Sequence, residues 1–517
     1  MIGNSYCDYM DDISKDELYR GLVSNGLFST NLPPVFTSES FFDYLSLRGV
    51  PSKECRSDYI SFDFNRSSGI PRRFGIPNPF SYARLCHFIK DNWDAIRQHF
   101  RKQTCQQSYK ISQIHIRKMR DTKSLFQMNY SNWKNDGDFS EDLLIGAKYE
   151  VFADISTCFS SLYTHSLPWA LIGKDAAKKE MKEEKKSWQP KWYNKLDKLC
   201  RNMRNGETHG IMIGPHVSNL LSEIVLVNID NTLFSKGWRF VRFIDDYRCF
   251  VGSVEDGQRF ITDLVKALQE FDLQLNQKKT RVVKLPTRFS EEWIQSLTLL
   301  DVGKLDRINC KNVKAYLDTA IEAVNKNNDD AAPLKYAIKA LSSSIQKMDE
   351  QAQLFLGKAV MHLCFVYPCL LQIADEFVLS RVAIDNATLS NFISRIYDES
   401  RLVNNYEGMC YSLLMALNHG CLVNVFDIDY VLQSDNCVLK LFAWIYCLNR
   451  NRNLDMGSLR YDALTILDEK GIDANWLFVY EVLDGDELKG EWADLKKANV
   501  SFVKPEFFDG SKSNIMI

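Results

Sequence analysis

The sequence of 517 residues is poor in proline (13) and glycine (24), which excludes a collagen-like or low-complexity disordered chain; 45% hydrophobic and 25% charged residues support packed cores instead. It has no long hydrophobic run. The most apolar stretch, 359–374, lies between Lys358 and Asp375 and is interrupted by His362, Pro368 and Gln372. A spanning helix needs about 20 apolar residues, so no membrane span is expected. The opening MIGNSYCDYMDD is acidic where a secretory signal is basic. The fourteen cysteines include no Cys-x-x-Cys pair and no zinc-type spacing, so free thiols and a cytoplasmic location are expected. The chain also lacks a basic excess: 64 Lys+Arg against 66 Asp+Glu leave a net charge of −2, which taken alone argues against a nucleic-acid partner. The distribution reverses that argument. Residues 51–250 carry 32 basic and 22 acidic side chains, whereas residues 351–517 carry 14 and 22. A basic segment is joined to an acidic one.

The length calls for two or three domains. Up to about residue 300, short strand-like runs (148–153, 238–243, 248–251, 281–285) alternate with helical stretches (217–229, 254–270), an α/β pattern. Beyond it, segments 313–324, 333–347, 351–363, 389–397 and 406–417 have helical periodicity and short polar spacers, the pattern of stacked helix pairs. Domains of 1–300 and 301–517 are therefore expected. The mixed-sign stretch 174–186 reads as a solvated helix face.

The sharpest local feature is Phe243-Ile244-Asp245-Asp246, set between the strand-like runs WRFVR and YRCFV. It predicts a hairpin whose tip presents two carboxylates. Adjacent like charges are costly unless a cation neutralises them, and hard oxygen donors suit Mg²⁺. Taken alone, a plain acidic turn explains it as well. Asp154, closing the run VFAD, adds a third carboxylate at a strand end, and three together fit two metal ions serving an in-line phosphoryl transfer. Phe159, five residues on, is placed to lie under the sugar of an incoming nucleotide and exclude a 2′-hydroxyl; core packing is its other reading. Gly210, Gly214, Pro215 and Ser218 precede a helix and permit close backbone approach to a base pair or phosphate. Lys279, in LNQKKT, is a candidate phosphate partner or proton donor. Arg72 and Arg73 in PRRFG, with Arg117 and Lys118 in IHIRKMR, form basic stretches interleaved with aromatic or apolar residues, as a nucleic-acid and triphosphate channel requires.

Taken in order, PRRFGIPNPFSYARLCHF, IHIRKMRD, FADISTCFSSLYTHSLPWAL, HGIMIGPHVSNLLSEIVLVNID, FIDDYRCFV, LNQKKT and LPTRFSEEW resemble the motifs of a reverse transcriptase over roughly residues 60–300. The form G-x-x-x-G-P-x-x-S-x-x-x-x-E-x-x-L-x-x-x-D is similar to the prokaryotic defence-associated, abortive-infection branch. That resemblance implies an α/β right-hand palm and fingers followed by an all-α, HEAT-like C-terminal domain. It implies Asp154, Asp245 and Asp246 as catalytic metal ligands together with the Ile155 backbone, and Phe159 as the steric gate. Gly210, Gly214 and Ser218 become the nucleotide platform, with Arg72, Arg73, Arg117, Lys118 and Lys279 as nucleotide contacts. Two Mg²⁺ ions, replaceable by Mn²⁺, and dNTPs are the implied cofactor and substrate. The implied partners are a noncoding RNA or the DNA product and further copies of the chain in a trimer or hexamer. Synthesis is either RNA-templated or template-independent, the latter primed on a protein hydroxyl; Tyr6, Tyr9 and Tyr19 lie near the N-terminus, and no single tyrosine is singled out. A retron or group II-intron-like enzyme is the alternative, disfavoured by the long acidic helical tail. The sequence departs from the common pattern with His209 for glutamine, Phe243 for tyrosine and Met212 for proline.

Overall fold

The computed structural model describes residues 6–66, 70–113, 116–117, 140–184, 191–288, 291–300, 302–327 and 329–508. At its centre four antiparallel strands run in the order β4 (Phe240–Phe243), β5 (Asp246–Val251), β3 (Tyr149–Asp154) and β6 (Arg281–Lys284). Side chains alternate across a pleated strand. Val151, Ala153, Tyr247 and Cys249 therefore turn to the buried side, where helix Val254–Gln269 packs on β3 and β5. Phe152 and Asp154 share the opposite face with their cross-strand partners Arg248 and Asp246. Helix His216–Ser235 is buried on nearly every side, as an all-round apolar helix must be. A separate hairpin of β1 (Tyr59–Phe64) and β2 (Arg72–Pro77) leads into helix Pro79–Asp91.

From Glu292 onward the described residues are helical, without a strand. Helix Cys310–Lys326 packs on Ala332–Ser342, and helix Asn386–Leu402 on Tyr406–Asn418; Cys437–Asn449 then packs on both Tyr406–Asn418 and Trp476–Val482. The polar spacers in the sequence are caps. Asn309, Asp349, Asp385, Asn405, Asp427 and Asn436 each accept a hydrogen bond from an amide in the first turn of the helix that follows. The expected single helix over 333–347 is instead a helix ending at Ser342 and a 3₁₀ turn, Ile345–Lys347. The reason is a serine run: Ser342 and Ser343 donate to the Lys339 and Ala340 carbonyls, local bonds that compete with helix continuation.

The helical half is welded to the rest of the chain. Phe28, Phe41 and Phe80 meet Trp476, Trp492 and Phe502 in one aromatic cluster, with ring centroids 4.9 Å apart for Phe80–Trp492 and 5.3 Å for Phe41–Phe502. The backbones join there too, as Thr37 N–H donates to Phe502 O (2.9 Å) and Lys504 N–H to Val35 O (2.9 Å). A second seam runs from the end of the first hairpin to helix Tyr406–Asn418, where Asn65 N–H donates to the Glu407 carboxyl (2.6 Å) and Asn65 Nδ2 to Asn405 Oδ1 (2.8 Å).

Burial pushes the Glu407 carboxyl up to about 8. An acid whose pKa is raised by folding contributes stability below its unfolded pKa and loses it as pH rises through the folded value. Urea midpoints of the natural chain are therefore expected to fall as pH rises from about 4.5 to about 8 and to level off above that. Glu407→Gln, which retains an acceptor for Asn65, should remove that loss and exceed the natural chain at about pH 9 by about 2–4 kcal/mol. Equal pH slopes for the two chains would contradict this assignment.

Candidate active site

Strands β4 and β5 pair Phe243 with Asp246, leaving Ile244 and Asp245 as a two-residue turn. Ile244 takes a left-handed φ of +55°, an uncommon setting for a β-branched residue. Asp246 opens β5 and lies directly across from Asp154, the last residue of β3. The Asp245 carbonyl accepts from Ile155 N–H at 3.0 Å, which fixes the turn against the end of β3. The structure thus brings Asp154, Asp245 and Asp246 to one edge of the sheet.

Their electrostatics show crowding of negative charge. Asp246 is pushed up to about 6, first by burial and then by Asp245 and Asp154. Asp245 is also raised, by burial and then by Asp154. Asp154 is buried, and Lys279 Nζ sits 2.6 Å from its Oδ2 while Asn276 Nδ2 donates to Oδ1 at 2.9 Å. Hydrogen bonding to Asp154 raises the Lys279 ammonium, so the lysine supplies the cation that the carboxylates require. Among the described residues no three His, Cys, Asp or Glu side chains converge tightly enough to form a preassembled metal site. The donor chemistry nonetheless fits a hard divalent cation: oxygen ligands, excess negative charge, and a lysine that can yield its place.

A cleft of about 450 Å³ opens beside the acids, lined by Phe152, Asp154, Phe243, Asp246, Arg248, Lys279 and Arg281 among others. Its floor is a row across the sheet: Phe152 is paired with both Arg248 and Arg281, whose guanidinium carbons lie 5.6 and 4.8 Å from its ring centroid. Positive charge and an aromatic face next to carboxylates suit a phosphodiester strand. Sequence reasoning missed this row because the three residues come from three strands.

The remaining candidates separate. Gly210 has φ +85°, and a Cβ there would stand 2.6 Å from the Ser160 carbonyl; Gly214 (φ +127°) lies over Phe74 and Gly75 of β2. Both glycines hold the segment against neighbouring backbone. Phe159 is half-buried against the core, in a short helix after β3, and its carbonyl accepts from Ile211 N–H. Ser218 is buried, with no partner for its hydroxyl among the described residues. Arg72 is within electrostatic reach of Asp245, whereas Arg73 is paired with Asp63 on β1 at 3.0 Å. Arg117 lies 5.9 Å from the Tyr9 ring, and Lys118 falls outside the described residues. Tyr6 and Tyr19 are both buried, Tyr6 donating to Glu223 at 3.0 Å.

Residues 89–298 match the family model described as reverse transcriptase (RNA-dependent DNA polymerase). The chain contains a reverse transcriptase domain. The four-stranded sheet lies within the matched residues and forms its palm. No curated protein matches the sequence significantly. Among solved structures, apo telomerase from Candida tropicalis is similar at 11% identity and a TM-score of 0.32, covering 86% of this chain and 78% of that one. Candida albicans telomerase in complex with a TWJ fragment of telomeric RNA gives 10% identity and 0.31, covering 86% and 70%. A C. tropicalis telomerase lacking its C-terminal domain gives 15% and 0.29, covering 51% of this chain and 59% of that chain.

The motif from Gly210 to Asp230 holds a buried ion pair that its sequence did not reveal. Its Glu223 and Asp230 turn inward from helix His216–Ser235 to hold Arg242, which lies on β4 beneath the acidic turn. An arginine in the run WRFVRF carries no signal of burial; only the two carboxylates seven residues apart on one helix hinted at a shared partner.

Proposed function

We propose that this reverse transcriptase domain adds deoxynucleotides to a DNA 3′-end or a protein hydroxyl in antiphage defence, in the cytoplasm. The observation that carries the reading is the direct pairing of Asp154 with Asp246 across β3 and β5, with Asp245 in the adjoining turn. Mg²⁺, for which Mn²⁺ substitutes, would supply Lewis acidity to the attacking hydroxyl and the departing pyrophosphate. Asp154, Asp245 and Asp246 are the residues that would hold it, with the Ile155 backbone at their side. Lys279 and Arg72 offer positive charge to a triphosphate, and Arg248, Phe152 and Arg281 give the extending strand a seat beside the acids. The defence assignment is supported by the form of the motif from Gly210 to Asp230 together with a long helical C-terminal half in place of a short basic one. RNA is the expected template partner and further copies of the chain the expected assembly. Tyr6 and Tyr19 are buried as the chain is folded, whereas Tyr9 is partly exposed, and both the templated and the protein-primed modes stand.

The test is incorporation by the purified chain, with Mg²⁺ or Mn²⁺ and dNTPs, on a primed RNA template and without any template. The product is sequenced and protease-treated to expose covalent attachment. Incorporation is the expected result, dependent on a structured co-purified RNA in the templated mode and covalently attached to protein in the protein-primed one, and absence of incorporation in every condition would overturn the reading.

Phe159 supplies a second check. If its ring bars the 2′-hydroxyl, Phe159→Ala is expected to raise ribonucleotide incorporation relative to deoxynucleotide by about 10-fold or more, the scale on which one lost steric contact alters discrimination. An unchanged ratio would leave Phe159 a packing residue.

A further inference from the structure

Arg242 is fully buried, yet it carries a charge into the palm. Its Nε lies 2.9 Å from both Asp230 oxygens and its Nη2 2.7 Å from Asp230 Oδ2. Its two Nη atoms reach the Glu223 carboxylate at 3.1 and 2.9 Å. Glu223 is satisfied in turn by the Tyr6 hydroxyl (3.0 Å) and the Ser112 hydroxyl (3.2 Å). A buried charge cluster of this kind is weak evidence for stability, since desolvation offsets its attraction and apolar side chains of similar volume often do as well. Its geometry has another use. Arg242 Nη1 also donates to the Ile244 carbonyl at 2.8 Å. That carbonyl belongs to the residue held at φ +55°, a conformation a β-branched side chain resists. The backbone of Arg242 is anchored besides: its N–H donates to Ile111 O (2.9 Å), and its carbonyl accepts from Gln113 N–H (2.8 Å).

We infer that Arg242, locked by Glu223 and Asp230, is a positioning residue that holds the Ile244–Asp245 turn in its left-handed form and so sets where the Asp245 and Asp246 carboxylates stand relative to Asp154. The inference rests on the proposed role of those three acids. It gives the Glu and Asp of the helix a task at the chemistry although neither reaches the cleft, and through Tyr6 it ties the N-terminal segment to the same turn.

The experiment is a double-mutant cycle between the clamp and the turn, using the full chain. Arg242→Lys keeps the charge and loses the fork. A turn displaced by about 1 Å costs on the order of 10²-fold in rate, so kcat is expected to fall by about that factor while KM for dNTP stays within about threefold. Asparagine adopts the left-handed conformation readily. Placing Ile244→Asn in the Arg242→Lys background is therefore expected to return about 10-fold or more of the lost kcat, which a merely structural role of Arg242 would not allow. A second readout needs neither metal nor nucleotide: amide hydrogen exchange across residues 243–247 should accelerate about tenfold in Arg242→Lys and slow again in the double variant. Should Arg242→Lys fail to fold, Asp230→Asn, which keeps the shape of the clamp and weakens its charge, is carried through the same cycle. A natural chain inactive in all conditions removes the functional reading, and the clamp is then judged by exchange alone. Exchange unchanged by either clamp variant, or a kcat loss that Ile244→Asn does not relieve, overturns the inference.

Discussion

Asp246→Asn is expected to abolish incorporation, by on the order of 10³-fold or more, while leaving the folded chain as stable as before or more so. Asp245→Asn should behave alike. Loss of one preorganised charge at a reacting centre costs on the order of 10²–10³-fold in electrostatic catalysis, and an acid crowded against two others at the proposed centre stands at the upper end. The stability change runs the other way. Burial and the neighbouring carboxylates push Asp246 up to about 6 and raise Asp245 as well, so at neutral pH each bears its charge at a cost. An uncharged isostere relieves that cost, as expected where function is held against stability. Incorporation by purified Asp246→Asn, compared with its thermal midpoint at about pH 7.5 without divalent ions, reads both. Full activity in this variant would sink the catalytic assignment, and a large fall in midpoint would turn the acids into structural groups.

Phe502→Ala and Trp476→Ala are each expected to destabilise the chain by about 3–5 kcal/mol, the usual cost of emptying a buried aromatic site. Both side chains are fully buried, their rings 4.8 Å apart, and they stand between Phe28 and Phe41 of the N-terminal region and Trp492 near the end of the described chain. A control at Leu454, which is 90% exposed, should move the midpoint by no more than about 0.5 kcal/mol. The same cluster governs truncation. A chain stopped at residue 300 would uncover Phe28, Phe36, Phe41 and Phe80 together, and it is expected to aggregate instead of yielding an active polymerase core. A single cooperative transition for 1–300, with incorporation intact, would show that the helical half is an independent appendage.

Much of the acidic edge was legible beforehand because its signals are local. Two acids between alternating apolar runs specify a hairpin, but the runs 238–243 and 248–251 leave four residues between them; pairing across the sheet shortens this to a two-residue turn and takes Asp246 into β5. Asp154 was legible as the end of a strand. Gly210 and Gly214 were legible as positions needing freedom of backbone, and both take positive φ. The helices beyond residue 300 announced themselves by periodicity, with Asn and Asp caps at their starts. The serine run Ser342-Ser343-Ser344 broke a helix that periodicity alone carried onward to Lys347.

By itself, then, the sequence determined the elements, the acidic edge and the division into a basic and an acidic half, since each is written in neighbouring residues or in sums over segments. The tertiary structure alone decided three things. It decided that Lys279 lies on Asp154, a pairing across 125 positions. It decided that Arg242 is buried between Glu223 and Asp230, where charged residues ordinarily read as surface. And it decided that residues 36–41 close on 501–503, with Ser40 and Ser501 joined across 461 positions. The physical reason is common to all three. Local sequence encodes dihedral preference and the period of burial, whereas the partner of a buried charge or ring is chosen by which surfaces meet once the chain has closed its long loops.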